Sequence, residues 1–352
     1  MPLILGIESS CDESAAALVE GPSVVRSSVI ATQHDLHARY AGVVPEIASR
    51  AHAERVLPVI EEALREAGAT LGDLDAIAVG HTPGLIGSLL VGVSTAKALS
   101  WGLGIPLIGV HHLLAHLHAP TLDDEPISFP AISLIASGGH TALYRQTEPL
   151  SATLLGSTID DAVGEAFDKA ATMLEAGYPG GPAIEALAET GDPEAFDLPI
   201  PRSRDNPLDF SFAGLKTALL YAARGHPRGR GREARFPRDV SDLSDSTRSD
   251  LAASFQKSAV AALVRGVRRA VDSEDVRSLC GGGGVLANAP LRRQLALLAN
   301  ERNLLLRIPP MRYCVDNAAM IAGLAALRLE AGLTDDLDLQ ATPRHPIPPP
   351  VG

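Results

Sequence analysis

The sequence predicts an α/β protein with two lobes of duplicated α/β design facing a cleft, and three observations carry that prediction. A strand–turn–strand unit occurs twice, once in each half of the chain. Helical segments alternate with strands around and beyond both units, the pattern of helices layered on sheets. The chain has 352 residues, 46% hydrophobic and 20% charged, which is enough to build a sizeable core in two lobes.

The elements follow in order. Leu3–Ile7 is a short apolar run and reads as a buried strand. The turn Glu8-Ser9-Ser10-Cys11-Asp12-Glu13-Ser14 follows, then a second strand, Ala15–Val19. The amphipathic segment Ala48–Ala67 is expected as a helix with Leu57, Ile60 and Leu64 on its apolar stripe. Asp73–Val79 reads as a turn and strand. Gly84-Leu85-Ile86-Gly87-Ser88 opens a long buried helix. The apolar stretch from Gly84 to Val110 contains Lys97 and several Gly and Ser, so it reads as helix plus strand rather than a membrane span. The second unit is Ala131–Ala136, the turn Ser137-Gly138-Gly139-His140, and a return strand starting over Thr141–Tyr144. Glycines in such a turn let backbone N–H groups approach an anion closely, although one isolated turn is equally an ordinary hairpin. Asp250–Val271 is an amphipathic helix. Val276–Cys280 is a strand leading into Gly281–Gly284, followed by a helix over Pro290–Asn300 with Pro in its first turn. Asn317–Glu330 is a late helix, and the tail Thr342–Gly352, with five prolines, is expected to be extended or disordered. These elements suggest an N-terminal lobe over 1–110, with 318–340 packing back on it. A C-terminal lobe over 111–317 and a flexible tail over 341–352 complete the division.

Charge narrows the function classes. The net charge of −12 argues against a surface coated for nucleic acid. The charge is uneven, because Arg224, Arg228, Arg230, Arg232, Arg235 and Arg238 share one Gly/Pro-broken segment near 224–240. That segment is either a solvated loop or an arm that contacts phosphates. The three scattered cysteines form no C-x-x-C motif, which favours a reducing cytoplasm. The N-terminus has no charged leader region, and Glu8 interrupts its apolar run, so no signal peptide is expected.

Three constellations point to chemistry. In His111-His112-Leu113-Leu114-Ala115-His116, a helical segment places His112 and His116 at i and i+4 on one face. Two neutral imidazoles at that spacing can share zinc or ferrous iron; hydrogen-bonded core histidines are the plain alternative. An H-E-x-x-H protease would need Glu as the base where Leu113 stands. Asp161, Glu165 and Asp168 would form one carboxylate stripe on a helix beside Lys169. The Gly281–Gly284 turn, followed by Asn288, is not G-x-G-x-x-G, so a dinucleotide site is unsupported. Asn288 either caps a helix or hydrogen-bonds a ligand, and Asp316 either caps a helix or supplies a third metal ligand.

In combination these segments resemble the universal family that forms threonylcarbamoyladenosine in tRNA, once described as O-sialoglycoprotein endopeptidases. The matching runs are Gly6–Ser14, Gly42–Arg50, the histidine run, Ser137–Thr141, Asp160–Lys169, Tyr178–Pro182, Asp209–Thr217, Gly282–Asn288 and Cys314–Ala322. Any one is weak; their joint order is specific and spans nearly the whole chain. Two positions depart from the family pattern: Leu114 stands where a Glu often lies, and Thr82-Pro83-Gly84-Leu85 replaces the usual G-P-G-L. The resemblance implies an actin/sugar-kinase/Hsp70-like fold. It implies transfer of a threonylcarbamoyl group from threonylcarbamoyl-adenylate to N6 of the adenosine 3′ of the anticodon, in tRNAs reading codons that begin with adenine. By position, His112, His116 and Asp316 would hold one divalent metal, Fe2+ first and Zn2+ second. Ile135, Ala136, Ser137, Gly138, Gly139, Asp168, Gly181, Glu185 and Asn288 would meet the adenylate, with Ser10 and Asp12 facing the same cleft. Asp12 is the candidate proton acceptor, on its turn position alone. The implied partners are tRNA, a paralogous actin-like protein and a small ATPase, with no membrane. A metalloprotease, a kinase of the same fold and a nucleotide-gated scaffold are the competing readings.

Overall fold

A computed structural model of the chain describes all residues except 41, 124–125, 202, 204, 230–234, 345–346 and 348–352. Its two hairpins seed two sheets of one design. Strands β1 (Leu3–Glu8) and β2 (Glu13–Glu20) pair antiparallel, with Leu3 opposite Glu20, and β3 (Val24–Thr32) pairs antiparallel to β2. Helices α1 (His34–His37) and α2 (Pro45–Ala67) lead to β4 (Ala76–Thr82), and α3 (Ile86–Leu103) leads to β5 (Leu107–His111). Strand β4 runs parallel to β1, and β5 parallel to β4.

After α4 (His112–His118) the pattern repeats. Strands β6 (Ala131–Ala136), β7 (Thr141–Glu148) and β8 (Ser151–Ser157) form an antiparallel meander. Helices α5 (Val163–Met173), α6 (Gly180–Ala188), α7 (Ala213–Arg224) and α8 (Asp245–Ser273) follow, then β9 (Ser278–Gly282), α9 (Ala289–Glu301) and β10 (Leu305–Arg307). Strand β9 pairs parallel to β6, and β10 pairs parallel to β9 at the sheet edge. The sheet orders β3-β2-β1-β4-β5 and β10-β9-β6-β7-β8 describe the same five-stranded plan read from opposite ends. Helix α10 (Ala318–Glu330) then lies against β1, β2, β4 and β5 and against α4. The approach to β1 is close enough to demand glycine, since a Cβ on Gly6 would sit 2.3 Å from the Ala318 carbonyl oxygen.

Three details differ from the sequence expectations. The apolar stripe of α2 is rotated: Val56, Val59, Ile60 and Ala63 are buried, whereas Leu57 is 55% exposed. The buried face of α2 packs against β2 and β3. Helix α3 is not buried all round. Ser88, Leu89, Gly92, Val93 and Ala96 face inward, while Ile86, Leu90 and Trp101 point outward, with Trp101 76% exposed. Among the described residues α3 is the one helix long and apolar enough to cross a membrane; its inner face packs on α2 and β4. The Arg-rich segment is partly structural. Arg224 pairs with Asp239 at 2.7 Å and covers the Phe236 ring, and Arg238 donates to the Ala222 carbonyl at 2.9 Å. Arg228 and Arg235 exchange two backbone hydrogen bonds of 2.9 Å that close a loop, while Arg230 and Arg232 lie outside the described residues.

Candidate metal and substrate cleft

Helix α4 begins where β5 ends. The His111 ring accepts the Leu113 N–H at 3.2 Å and caps the helix, and every residue of α4 is buried. The i, i+4 spacing then brings the His112 and His116 rings edge to face, 4.6 Å between centroids. Asn317, not Asp316, caps α10, accepting the Met320 N–H at 2.9 Å. Asp316 is thereby left to face the histidines, with its Oδ1 2.9 Å from His116 Nε2 and 3.5 Å from His112 Nε2.

A fourth residue completes the arrangement, one that sequence reasoning placed in the first turn and in the matching run Gly6–Ser14 but gave no role at the site. Glu8, at the end of β1 and 1% exposed, places Oε2 3.1 Å from His112 Nδ1, while its Oε1 accepts the Ser10 N–H at 2.6 Å. Ser10 Oγ lies 3.3 Å from the same Nδ1. The space for Glu8 exists because residue 80 is glycine: a Cβ there would stand 2.6 Å from Oε2. The Nδ1 of His116, by contrast, is buried without a hydrogen-bond partner.

The electrostatics of this cluster call for a cation. Burial alone would lower the His112 pKa, but Asp316 and Glu8 overcome it and raise it to about 9. Burial and the neighbouring His112 charge lower that of His116. Burial would raise Asp316, yet both imidazoles hold its carboxyl well below the usual carboxylate range. The buried Glu8 and the half-buried Asp316 flank the imidazoles, an arrangement in which a proton on His112 or a divalent cation is favourably placed. The potential ligand atoms of His112, His116 and Asp316 all lie within 4.8 Å of one another. Two imidazoles and a carboxylate suit ferrous iron or zinc with positions left open, and the Glu8–His112 contact is the carboxylate that metal-binding imidazoles characteristically carry on their far nitrogen. The residues present fit the metal.

The cluster lies in a cleft of about 630 Å³ walled by both lobes. Ser10, Asp12, Ser137, Gly138, Gly139, Asp168, Gly181, Glu185 and Asn288 all line it, as do His112 and Asp316. Ile135 and Ala136 do not line it: both are fully buried inside β6, and their side chains belong to the cores. The Ser137 N–H is bonded to the His140 carbonyl at 2.8 Å, so within this turn the Gly138 and Gly139 amides are the ones left for an anion. The carboxylate stripe does not form. Asp161 precedes α5 and pairs with Lys169 and Lys216, Glu165 pairs with Lys169, and Asp168 accepts the Gly180 N–H at 2.8 Å. Asn288 both caps α9, accepting the Leu291 N–H at 3.0 Å, and donates to Glu185 at 3.2 Å and Gln256 at 2.7 Å. Glu185 in turn accepts the Ala289 N–H at 2.9 Å. Both Asn288 amide N–H groups are engaged in these bonds, so the Glu185 carboxylate they orient is what the pair offers a ribose hydroxyl.

Sequence reasoning missed Glu13, His34 and Arg344, which also line the cleft. His34 comes from a four-residue helix with no motif, and it reaches within 3.4 Å of Glu13. Burial, then the Asp12 charge, push the Glu13 carboxyl well above the usual range. Cys11 lines the cleft too, but burial and the charges of Asp12, Asp316 and Glu13 push its thiol far up, which disfavours the reactive thiolate.

A family model for tRNA N6-adenosine threonylcarbamoyltransferase matches residues 24–323. The chain belongs to that family. A threonylcarbamoyltransferase of Symbiobacterium thermophilum is 50% identical over 343 residues, covering 97% of this chain and 96% of the relative. One of Salinibacter ruber is 48% identical over 330 residues, covering 94% and 95%. Solved structures show the fold. HypF of T. kodakarensis aligns with a TM-score of 0.59 at 16% identity, over 94% of this chain and 48% of its own. Component A of the (R)-2-hydroxyglutaryl-CoA dehydratase of Acidaminococcus fermentans aligns at 0.51 and 14% identity, over 94% and 100%. The threonylcarbamoyltransferase family and the duplicated actin-like plan therefore agree in this chain.

Proposed function

We propose that this chain transfers the threonylcarbamoyl group from threonylcarbamoyl-adenylate to N6 of the adenosine 3′ of the anticodon, in tRNAs that read codons beginning with adenine. The observation that carries the reading is membership of the family over most of the chain. The geometry supports it, because His112, Asp316 and most of the residues assigned to the adenylate line one cleft, with the buried His116 in contact with Asp316. In the reaction the N6 amine attacks the carbamoyl carbon. A C–N bond forms, the bond from that carbon to the phosphate oxygen breaks, AMP leaves with the electron pair, and the amine releases one proton.

The chain's own residues divide this work. Glu185, oriented by Asn288, holds the nucleoside, and the Gly138 and Gly139 amides face developing negative charge. His112, His116 and Asp316 would hold a divalent cation, iron first and zinc second, which when bound would supply Lewis acidity to the transfer. Asp12, 8% exposed in the cleft wall, takes the proton. Asp12→Asn is then expected to lower kcat about 100-fold with metal content unchanged, read by single-turnover transfer and metal analysis. Full transfer by that variant would remove Asp12 from the role. The protease reading loses its footing, since α4 carries no carboxylate and Glu8 faces the far nitrogen of His112.

The expected partners have candidate surfaces. The outward stripe Ile86, Leu90 and Trp101 on α3 is an apolar face suited to a paralogous partner of similar fold. Trp101→Glu is expected to weaken that complex at least tenfold in sedimentation or titration while leaving the unfolding temperature of the isolated chain unchanged. Unchanged assembly would move the partner elsewhere. The Arg-rich segment Arg224–Arg238 is the place for contact with tRNA phosphates, and a small ATPase and a cytoplasmic site of action complete the proposal. The test of the activity is nucleoside mass spectrometry of unmodified tRNA incubated with the chain, its partners and threonylcarbamoyl-adenylate. Modified adenosine is the expected product; none, with partners shown to be active, would turn the reading to a kinase or scaffold.

A further inference from the structure

The cleft is acidic, whereas the donor proposed for it is an anion. Asp12, Glu13, Asp168, Glu185 and Asp316 all contribute carboxylates to its lining. Among the described lining residues one carries a permanent positive charge, and it comes from the C-terminal tail: Arg344. Composition suggests a free, proline-rich tail at this point, but the structure ties it down just before Arg344. The His81 ring lies 3.0 Å from the Gln340 carbonyl, the Thr342 N–H donates to the His81 carbonyl at 2.9 Å, and the Gly84 N–H donates to the Pro343 carbonyl at 3.2 Å.

The docking place is not remote from the chemistry. Gly84 lies so close to Ser10 that a Cβ on it would stand 2.6 Å from the Ser10 carbonyl oxygen, and the Leu85 N–H donates to that same oxygen at 2.8 Å. Ser10 in turn touches His112. The chain of contacts therefore runs from the histidine cluster through the first turn and Gly84 to Pro343, and Arg344 is the next residue. An acyl adenylate entering this cleft brings a phosphate and a threonine carboxylate past the lining carboxylates. A guanidinium, with its planar set of donors, suits either group.

We propose that Arg344, carried into the cleft wall by the docked tail, binds an anionic oxygen of the acyl adenylate, either its phosphate or its threonine carboxylate. The proposal rests on the transferase reading above. It makes the tail part of the substrate site rather than an appendage.

The test compares Arg344→Gln and Arg344→Lys with wild type in the full chain. One arm measures AMP affinity of the isolated chain by calorimetry. The other measures KM for threonylcarbamoyl-adenylate and for unmodified tRNA with the partners present. The Gln variant is expected to raise the KM for the adenylate about tenfold, with kcat and the tRNA KM within about twofold, and the Lys variant to recover most of the loss. A parallel tenfold loss of AMP affinity assigns Arg344 to the phosphate, and unchanged AMP affinity assigns it to the carboxylate. A shift confined to the tRNA KM, or no shift in either substrate, overturns the proposal. Should wild type transfer nothing with active partners, the transferase reading fails by itself. The AMP arm then decides alone: a tenfold loss keeps an anion-binding Arg344, and unchanged affinity removes it.

Discussion

His116→Ala is expected to lose threonylcarbamoyl transfer by about 1000-fold or more, measured by nucleoside mass spectrometry beside wild type with the same partners. The size follows from the role proposed for the histidine as a metal ligand: Lewis-acid assistance is worth several kcal/mol, and each 1.4 kcal/mol is a factor of ten in rate. His116 is fully buried and its Nε2 lies 2.9 Å from Asp316 Oδ1, so its loss also leaves Asp316 with one imidazole partner. Alanine opens a hole in α4, and the unfolding temperature must therefore be measured alongside. Asp316→Asn, which keeps the side-chain volume and removes the charge, is the control that separates ligand loss from packing loss. Both variants are expected to lose bound metal together with transfer. Modified tRNA from a folded, metal-depleted His116→Ala at the wild-type rate would sink the assignment of the cluster while leaving the activity intact.

Glu8→Gln is expected to weaken metal affinity about 10- to 100-fold, the range found when the outer partner of a metal-binding imidazole is removed. The reasoning is tautomeric. Glu8 Oε2 stands 3.1 Å from His112 Nδ1, where a carboxylate can only accept, so a proton stays on Nδ1 and Nε2, toward Asp316, is the nitrogen that gives up its proton to ligate. A glutamine at the same place can turn its amide and donate instead, which favours the tautomer whose Nε2 carries a proton and cannot ligate. The substitution is close to isosteric, and Gly80 still leaves it room. Chelator competition reads the affinity without reference to activity, and saturating metal should restore most of the transfer. Wild-type affinity in the variant would mean that packing alone orients His112.

How much of this was legible beforehand depended on the range of the interaction involved. The strand–turn units, the alternation of helix and strand, and the i, i+4 histidines are short-range patterns, and each appears in the structure within a few residues of its expected bounds. The joint order of the family motifs added the activity and pointed to most of the cleft. Side-chain direction was less legible. Leu57 and the outer face of α3 were read as inward because periodicity reports that a helix has an apolar stripe, not which of its apolar residues meet the sheet.

The sequence by itself determined the duplicated α/β plan, the family, and the pair His112 and His116, because spacing along one helix or strand is fixed by backbone geometry alone. Only the tertiary structure decided that Asn317 caps α10 so that Asp316 meets the histidines 200 residues away, that Glu8 backs His112 across 104, and that Arg344 lines the same cleft. It also decided that Ile135 and Ala136 belong to the core rather than to the cleft. Those outcomes rest on which surfaces of two sheets and two helices meet, and burial, close approach at Gly6 and Gly80, and the competition for hydrogen-bond partners settle that only once the chain has closed on itself.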